Sequence, residues 1–198
     1  MSCFRHHVQA TPSTLNRSHM NFCSHCGQPV SRRVPPGDHV PRFVCDACGT
    51  IHYENPKLVA GCVPEWEGKI LLCRRAIEPR SGYWTVPAGF MENGETLMAA
   101  AAREAVEEAM AEVEIGSILA IVHNLHANQV HVMFRARLID GRFGVGPESV
   151  EVKLVEERDV PWEEIAFPSG VFALRRYFED RAAGREELHF AEFDLVRR

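Results

Sequence analysis

The sequence predicts an α/β chain of the α+β kind, a mixed sheet flanked by helices, preceded by a small cysteine-stapled module. Three observations carry this prediction. The 198 residues leave room for one domain of about 100–150 residues and a smaller unit beside it. The β-rich and helical patterns alternate in groups, strands, helix, strands, helix, which favours a mixed sheet over a doubly wound parallel one. Four of the seven cysteines fall into two C-x2-C pairs near the N-terminus.

The first 19 residues, MSCFRHHVQATPSTLNRSH, hold two arginines, no acid and none of the apolar core of a secretory signal. They are expected to form a disordered leader, with Met20 as a second candidate start. Residues 20–52 contain CSHCG and CDACG, so Cys23, Cys26, Cys45 and Cys48 make a C-x2-C-x18-C-x2-C array. Two such turns complete a tetrahedron of thiolates around zinc. About 30 residues bury too little to fold alone, so a structural Zn²⁺ would supply the folding energy of a zinc ribbon. Gly27 and Gly49 follow the second cysteine of each pair, where they are expected to let backbone N–H groups turn toward sulfur. His25 and His52 lie near the knuckles and are read as surface residues. Cys3, Cys62 and Cys73 read as free thiols, the last two in the core.

Residues 53–198 form the main domain. KLVAGCVP and GKILLCRR are apolar runs separated by EWE and Gly68, which predicts a hairpin. YWTVP is a short extended piece ended by Pro87. Residues 96–110 are predicted helical. VEIGSILAIVHN and QVHVMFRARLID read as two strands joined at LHA, GRFGVGP as a loop, and SVEVKLVEE as a further strand. SGVFALRRYFEDRAAG places Val171, Leu174 and Phe178 on one face and stops at Gly184, which predicts an amphipathic helix.

The chemistry concentrates in GFMENGETLMAAAAREAVEEAMAEV, residues 89–113. At about 100° per residue, Glu104, Glu107 and Glu108 occupy about 100° of helical arc. Ala100 and Ala101 lie one turn below and leave space. Three carboxylates so close raise one another's pKa unless a cation neutralises them. Hard oxygen ligands on a rigid face suit Mg²⁺ or Mn²⁺, which in turn bind phosphate oxygens. Arg103 can hold one carboxylate in position and pair with Glu95. A solvated acidic face is the competing reading of REAVEEA taken alone.

The whole string resembles the Nudix box, G-x5-E-x7-R-E-U-x-E-E-x-G-U, where U is apolar. Gly89, Glu95, Arg103, Glu104, Ala105, Glu107, Glu108 and Ala111 all fall on pattern positions. Met110 replaces the family glycine, and a slightly longer helix or a different cap is expected there. With the ribbon in front, the chain resembles Nudix hydrolases of the branch containing NADH pyrophosphatases and FAD or ADP-ribose pyrophosphatases. The resemblance covers residues 20 to about 183. It implies an α/β/α sandwich and metal-dependent hydrolysis of a nucleoside diphosphate linked to another moiety, releasing AMP. It makes Glu104 and Glu108 metal ligands, Glu107 a ligand or the residue that orients the water, and Arg103 part of the catalytic set. It also adds a backbone carbonyl near Ala88 or Gly89 to the metal shell. A further acid is expected from a later strand, Glu151 first and Glu148 second. Arg74 and Arg75 are candidate diphosphate contacts. Phe90 and His126, with Tyr83 and Trp84, are candidate faces for the base. A homodimer is common in the resembled family.

The NADH pyrophosphatase signature S-Q-P-W-P-F-P-x-S has no counterpart in AIVHNLHANQVHVMF, and AFPSG echoes it in the wrong place. FAD and ADP-ribose are therefore the leading expected substrates, with NADH as the alternative. A second alternative is a non-catalytic sensor that binds ADP-ribose or NAD and acts through its ribbon. Net charge is −5, divided into +3 over residues 1–52 and −8 over the rest. No basic stripe on the body marks a nucleic-acid binder, so a small-molecule substrate and no nucleic-acid partner are expected. The most apolar stretch, 115–134, is broken by His123, Asn124, His126 and His131 and is not expected to span a membrane. A cytoplasmic protein is expected.

Overall fold

The computed structural model describes residues 20–194; the expected leader, 1–19, lies outside the described residues. The described chain divides into two compact units, with the break between Asn55 and Pro56.

The first unit is a small antiparallel sheet of β1 (Val30–Arg33), β2 (Arg42–Cys45) and β3 (Ile51–His52), in that order. The sulfurs of Cys23, Cys26, Cys45 and Cys48 all lie within 4.8 Å of one another. The Cys23–Cys48 and Cys26–Cys45 separations are 3.7 and 3.5 Å. Zinc–sulfur bonds of about 2.3 Å in a tetrahedron place sulfurs about 3.8 Å apart, so the four thiols fit that ion. The glycines act differently from expectation. Gly27 and Gly49, at φ 73° and 76°, donate their N–H groups back to the carbonyls of Cys23 and Cys45 and close the turns. The N–H that reaches sulfur is that of His25, 3.4 Å from Cys23 Sγ, with His52 Nε2 at 3.3 Å from the same atom. The Thr50 hydroxyl and N–H lower the Cys48 thiol to about 6, while Cys26, despite a backbone hydrogen bond at Gln28 that lowers it, is pushed up to about 12 by its neighbours Cys48 and Cys45. Arg42 stacks over Tyr53 at 5.2 Å, tying the stretch after β3 to the ribbon.

The second unit is built on a mixed sheet. Its strands are β4 (Lys57–Trp66), β5 (Lys69–Arg75), β6 (Trp84–Thr85), β7 (Ala88–Phe90), β8 (Val113–Asn124), β9 (Gln129–Leu138), β10 (Ser149–Val155) and β11 (His189–Phe193). The order across the sheet is β10-β5-β4-β9-β8-β11, with β6 on β5 and β7 on β4. β4 with β9 and β8 with β11 are parallel; the other pairs are antiparallel. Helix α1 (Leu97–Ala109) covers one face and α2 (Pro168–Ala183) the other, giving an α/β/α sandwich. On the α1 face, Ala100, Ala101 and Ala105 pack on Ala60, Cys62, Val132 and Phe134. On the α2 face, Leu174 and Phe178 pack on Ile70, Leu72, Trp84 and Met133. Alanine on α1 is what lets that helix lie close to the strands. Cys62 and Cys73 are buried.

The hairpin strands β4 and β5 pair only at their turn end, Glu65 with Ile70 and Trp66 with Lys69. Beyond it they splay, and β7 and β6 fill the opening, pairing with β4 and β5 respectively. Loop 76–83 leaves β5 and returns through β6 to the Nudix-like segment. Helix α1 starts at Thr96, whose hydroxyl accepts from the N–H of Ala99 at 3.1 Å. It is not lengthened at Met110. That residue takes the left-handed conformation, φ 48° and ψ 32°, and its N–H caps the carbonyls of Ala105 and Val106. Met110 thus does the conformational work of a glycine. Strand β11 is not among the expected elements. It is held by Asp180 of α2, a buried carboxylate that accepts from Arg135, from Arg185, from His189 and from the N–H of Glu187. Burial pushes Asp180 upward, but His189, the Glu187 N–H and Arg185 outweigh it and hold the group at about 2.

Candidate active site

The acids of α1 face the splayed end of β4 and β5. Glu104 and Glu108 are buried and Glu107 is exposed. Arg103 organises them. Its Nε and Nη2 grip the two oxygens of Glu95 at 3.2 and 2.9 Å. Its Nη1 donates to Glu104 at 2.7 Å and to Glu107 at 2.9 Å. Nη2 also reaches the carbonyl of Phe90 at 3.1 Å, fixing β7 to the helix. The guanidinium holds Glu95 below its ordinary range.

Gly89 leaves room for Glu104: a Cβ there would push the Glu104 carboxylate out of its place beside Arg103. That glycine is the first residue of the Nudix-like pattern, and its place beside Glu104 brings the β7 backbone and the helix acids together. Burial pushes Glu104 up, against the pull of Arg103. Glu108 is raised further, to about 8, by burial first and by the charge of Glu104 next; Arg75 and a backbone hydrogen bond from Ala88 oppose this. Glu108 Oε2 is buried and has no hydrogen-bond partner. An orphaned, buried carboxylate oxygen is costly unless something positive completes it.

The other sequence candidates separate into two groups. Arg75 stands close enough to act on Glu108 and lies over the ring of Phe167 at 5.1 Å. Phe90 is half exposed on β7 with Lys57 Nζ 5.1 Å from its ring. Arg74 points the other way, donating to the Gly82 carbonyl and pairing with Glu151 at 3.5 Å. Glu151 is therefore turned to Arg74. Glu148 is the acid whose charge acts on both Glu104 and Glu108. Its carbonyl accepts from the N–H of Ala76, which anchors it just before β10. His126 lies in the turn between β8 and β9 and takes no part in the hydrogen bonds of the acids. The strand pattern of ESVEVKLV favours Glu151 because it lies within the strand. In β10 Glu151 pairs with Arg74 across a register shift that follows Ser149, and no local signal announces that irregularity.

Comparison with known proteins identifies the family of the chain. The Nudix N-terminal zinc-ribbon family matches residues 21–54 and the NUDIX domain family residues 55–180. Among curated proteins, the NAD-capped RNA hydrolase NudC of Salmonella heidelberg is 32% identical over 171 residues, 84% of this chain. The chain spans 62% of the length of that relative. Among solved structures, a NUDIX hydrolase from Nitrosomonas europaea is 51% identical with a TM-score of 0.85, covering 88% of this chain and 99% of its own. An ADP-ribose pyrophosphatase from Streptococcus suis, 24% identical with a TM-score of 0.57 over 69% of this chain and 99% of its own, shares the fold. The chain belongs to the Nudix family, in the branch that carries an N-terminal zinc ribbon.

Proposed function

We propose that this protein hydrolyses the diphosphate bond of a nucleoside diphosphate joined to a second moiety, using Mg²⁺ or Mn²⁺ held by the acids of α1. The observation that carries this reading is the unpartnered Glu108 Oε2, buried beside Glu104 and within reach of the charge of Glu148. Oxygen donors in excess of local cations fit a hard divalent ion. Glu104 and Glu108 would hold it, with Glu148 and a β7 carbonyl at Ala88 or Gly89 as further donors. Glu151 is the weaker choice because Arg74 engages it. When bound, the metal neutralises the diphosphate oxygens and makes water a better nucleophile. Arg103 keeps Glu104 and Glu107 from moving apart, and Glu107, exposed and hydrogen-bonded at one oxygen, would orient that water. Arg75 supplies a positive charge at the same edge for the diphosphate.

The substrates that fit are those with adenosine diphosphate joined to a second group: NAD-type dinucleotides, ADP-ribose and FAD. The name of the NudC relatives moves NAD-type substrates up. The missing S-Q-P-W-P-F-P-x-S stretch keeps ADP-ribose beside them and FAD on the panel. The test is incubation with Mg²⁺ or Mn²⁺ and NADH, ADP-ribose, FAD and nucleoside triphosphates, with products resolved by chromatography. AMP release from one of the first three is expected. Tight binding without turnover would overturn the hydrolase reading in favour of a sensor.

A further inference from the structure

The stretch GRFGVGP, residues 141–147, leads from β9 to Glu148 and crosses the C-terminal end of α1 on the way. A helix leaves its last carbonyls without partners of its own. The N–H of Met110 caps those of Ala105 and Val106, and the loop supplies two more donors. The N–H of Gly144 donates to the Ala109 carbonyl at 2.7 Å, and that of Gly146 to the Glu108 carbonyl at 3.2 Å. Val145, between them, is exposed.

The two glycines are not equivalent. Neither lies in the left-handed φ region, so what separates them is how closely each approaches the helix. A Cβ on Gly144 would meet the Met110 sulfur at 3.1 Å, in a flexible side chain that can shift. A Cβ on Gly146, which is buried, would overlap the Glu107 carbonyl oxygen and crowd the carbonyl carbons of Glu107 and Glu108. Those are backbone atoms of the very turn that carries the acids, and they cannot swing aside. From Gly146 to Glu148 the path is short. The Gly146 carbonyl accepts from the N–H of Ser149 at 3.1 Å, closing a turn whose second residue is Pro147. The Glu148 carbonyl accepts from Ala76 at 2.8 Å, and Ser149 lies opposite Arg75. Glu148 is thus held between the end of α1 and the end of β5, where its charge acts on Glu104 and Glu108.

We propose that Gly146 is a positioning residue for the metal site: its bare backbone seats on α1 at Glu107 and Glu108 and so fixes the reach of Glu148 toward an ion held by Glu104 and Glu108. The inference rests on the metal-dependent hydrolase reading, with Glu148 as one of the donors. The helix turn that presents two of the acids and the loop that presents the third are then one body, and the spacing of their oxygens is set by the fold. Mg²⁺ tolerates little departure from octahedral geometry, so a small displacement of Glu148 should be felt.

The test reads Mn²⁺ binding by electron paramagnetic resonance in wild type, Gly146→Ala, Gly144→Ala, Glu148→Gln and the Gly146→Ala/Glu148→Gln double variant. Ribbon zinc is retained, folding is checked by circular dichroism, and kcat and KM are measured beside the binding. Gly146→Ala should weaken Mn²⁺ binding about 10-fold or more and lower kcat with KM little changed. Gly144→Ala should stay within about 2-fold of wild type. In the double variant Gly146→Ala should add less than about 2-fold to the loss from Glu148→Gln, because both act through one carboxylate. Wild-type affinity in Gly146→Ala, an equal loss in Gly144→Ala, or losses that multiply in the double variant would each overturn the proposal. Should Gly146→Ala not fold, a glycine inserted between Gly146 and Pro147 carries the test, since it keeps the seat on α1 and shifts Glu148. That insertion should match the loss from Glu148→Gln, and unchanged affinity overturns the proposal. Wild type that binds no Mn²⁺ also overturns it, whereas Mn²⁺ binding without hydrolysis of NADH, ADP-ribose or FAD would count instead against the proposed activity.

Discussion

Replacing Glu108 with glutamine tests whether its carboxylate is held for a metal. Without divalent metal at the acids the folded-state value is raised from 4.5 to about 8. A raised value means that the folded chain keeps a proton that the unfolded chain releases. The stabilisation is therefore complete below pH 4.5 and is lost as pH rises through about 8. Each pH unit in that window is worth about 1.4 kcal/mol, so the group can account for a loss of about 3–5 kcal/mol. Glu108→Gln cannot titrate. Its stability relative to wild type should start near zero at pH 4.5 and climb by about that amount by pH 8. Urea unfolding in Mg²⁺- and Mn²⁺-free buffer, with ribbon zinc retained, measures this difference; titrating groups remote from Glu108 cancel between the two proteins, while Glu104, coupled to it, shares in the shift. Adding Mg²⁺ should reverse the order, stabilising wild type more, while the variant loses turnover. A difference that stays flat across pH 4.5–8 would refute the buried, unpartnered carboxylate, and normal turnover by the variant would refute its role.

Met110→Gly should be more stable than Met110→Ala by about 1 kcal/mol, because only glycine takes the left-handed conformation without a steric cost. Thermal melts should show this as about 2–4 °C. Glu148→Gln should lower kcat by about 10-fold or more, whereas Glu151→Gln should stay within about 3-fold; steady-state assays at saturating metal distinguish the two acids. Purified protein should contain about one zinc per chain by elemental analysis, and Cys45→Ser should lose both that zinc and the ribbon's protection from proteolysis.

The parts of the fold governed by local pattern are legible in the sequence. The C-x2-C pairs, the β-rich apolar runs that form β8 and β9, and the apolar face of α2 each report on neighbours a few residues away. The parts governed by distant pairing are not. AGF at β7 has no strand signature of its own and is extended because it lies against Val59–Gly61. HFAEF at β11 alternates weakly, with Phe190 facing out, and owes its place to Ala120–Asn124 and to Asp180. At the site, the acid stripe and Arg103 can be read from helical spacing. That Arg74 engages Glu151 while the charge of Glu148 acts on Glu104 and Glu108 cannot, because it follows from the pairing of β10 with β5 and its register shift. Met110 shows the same limit: the pattern marks a missing glycine, but only the backbone shows that methionine accepts its conformation.

The last strand also has a protective role. Because β11 lies parallel to β8 at the rim, it occupies the amide and carbonyl groups of Ala120–Asn124 that would otherwise form an open template. Shortening the chain before Arg185 would strip that cover and remove His189, the Glu187 amide and Arg185 from Asp180 in one cut. Arg135 would remain to neutralise Asp180, so the core should survive. The expected defect is self-association through the uncovered rim, seen as growing particle size in light scattering while helical circular dichroism persists.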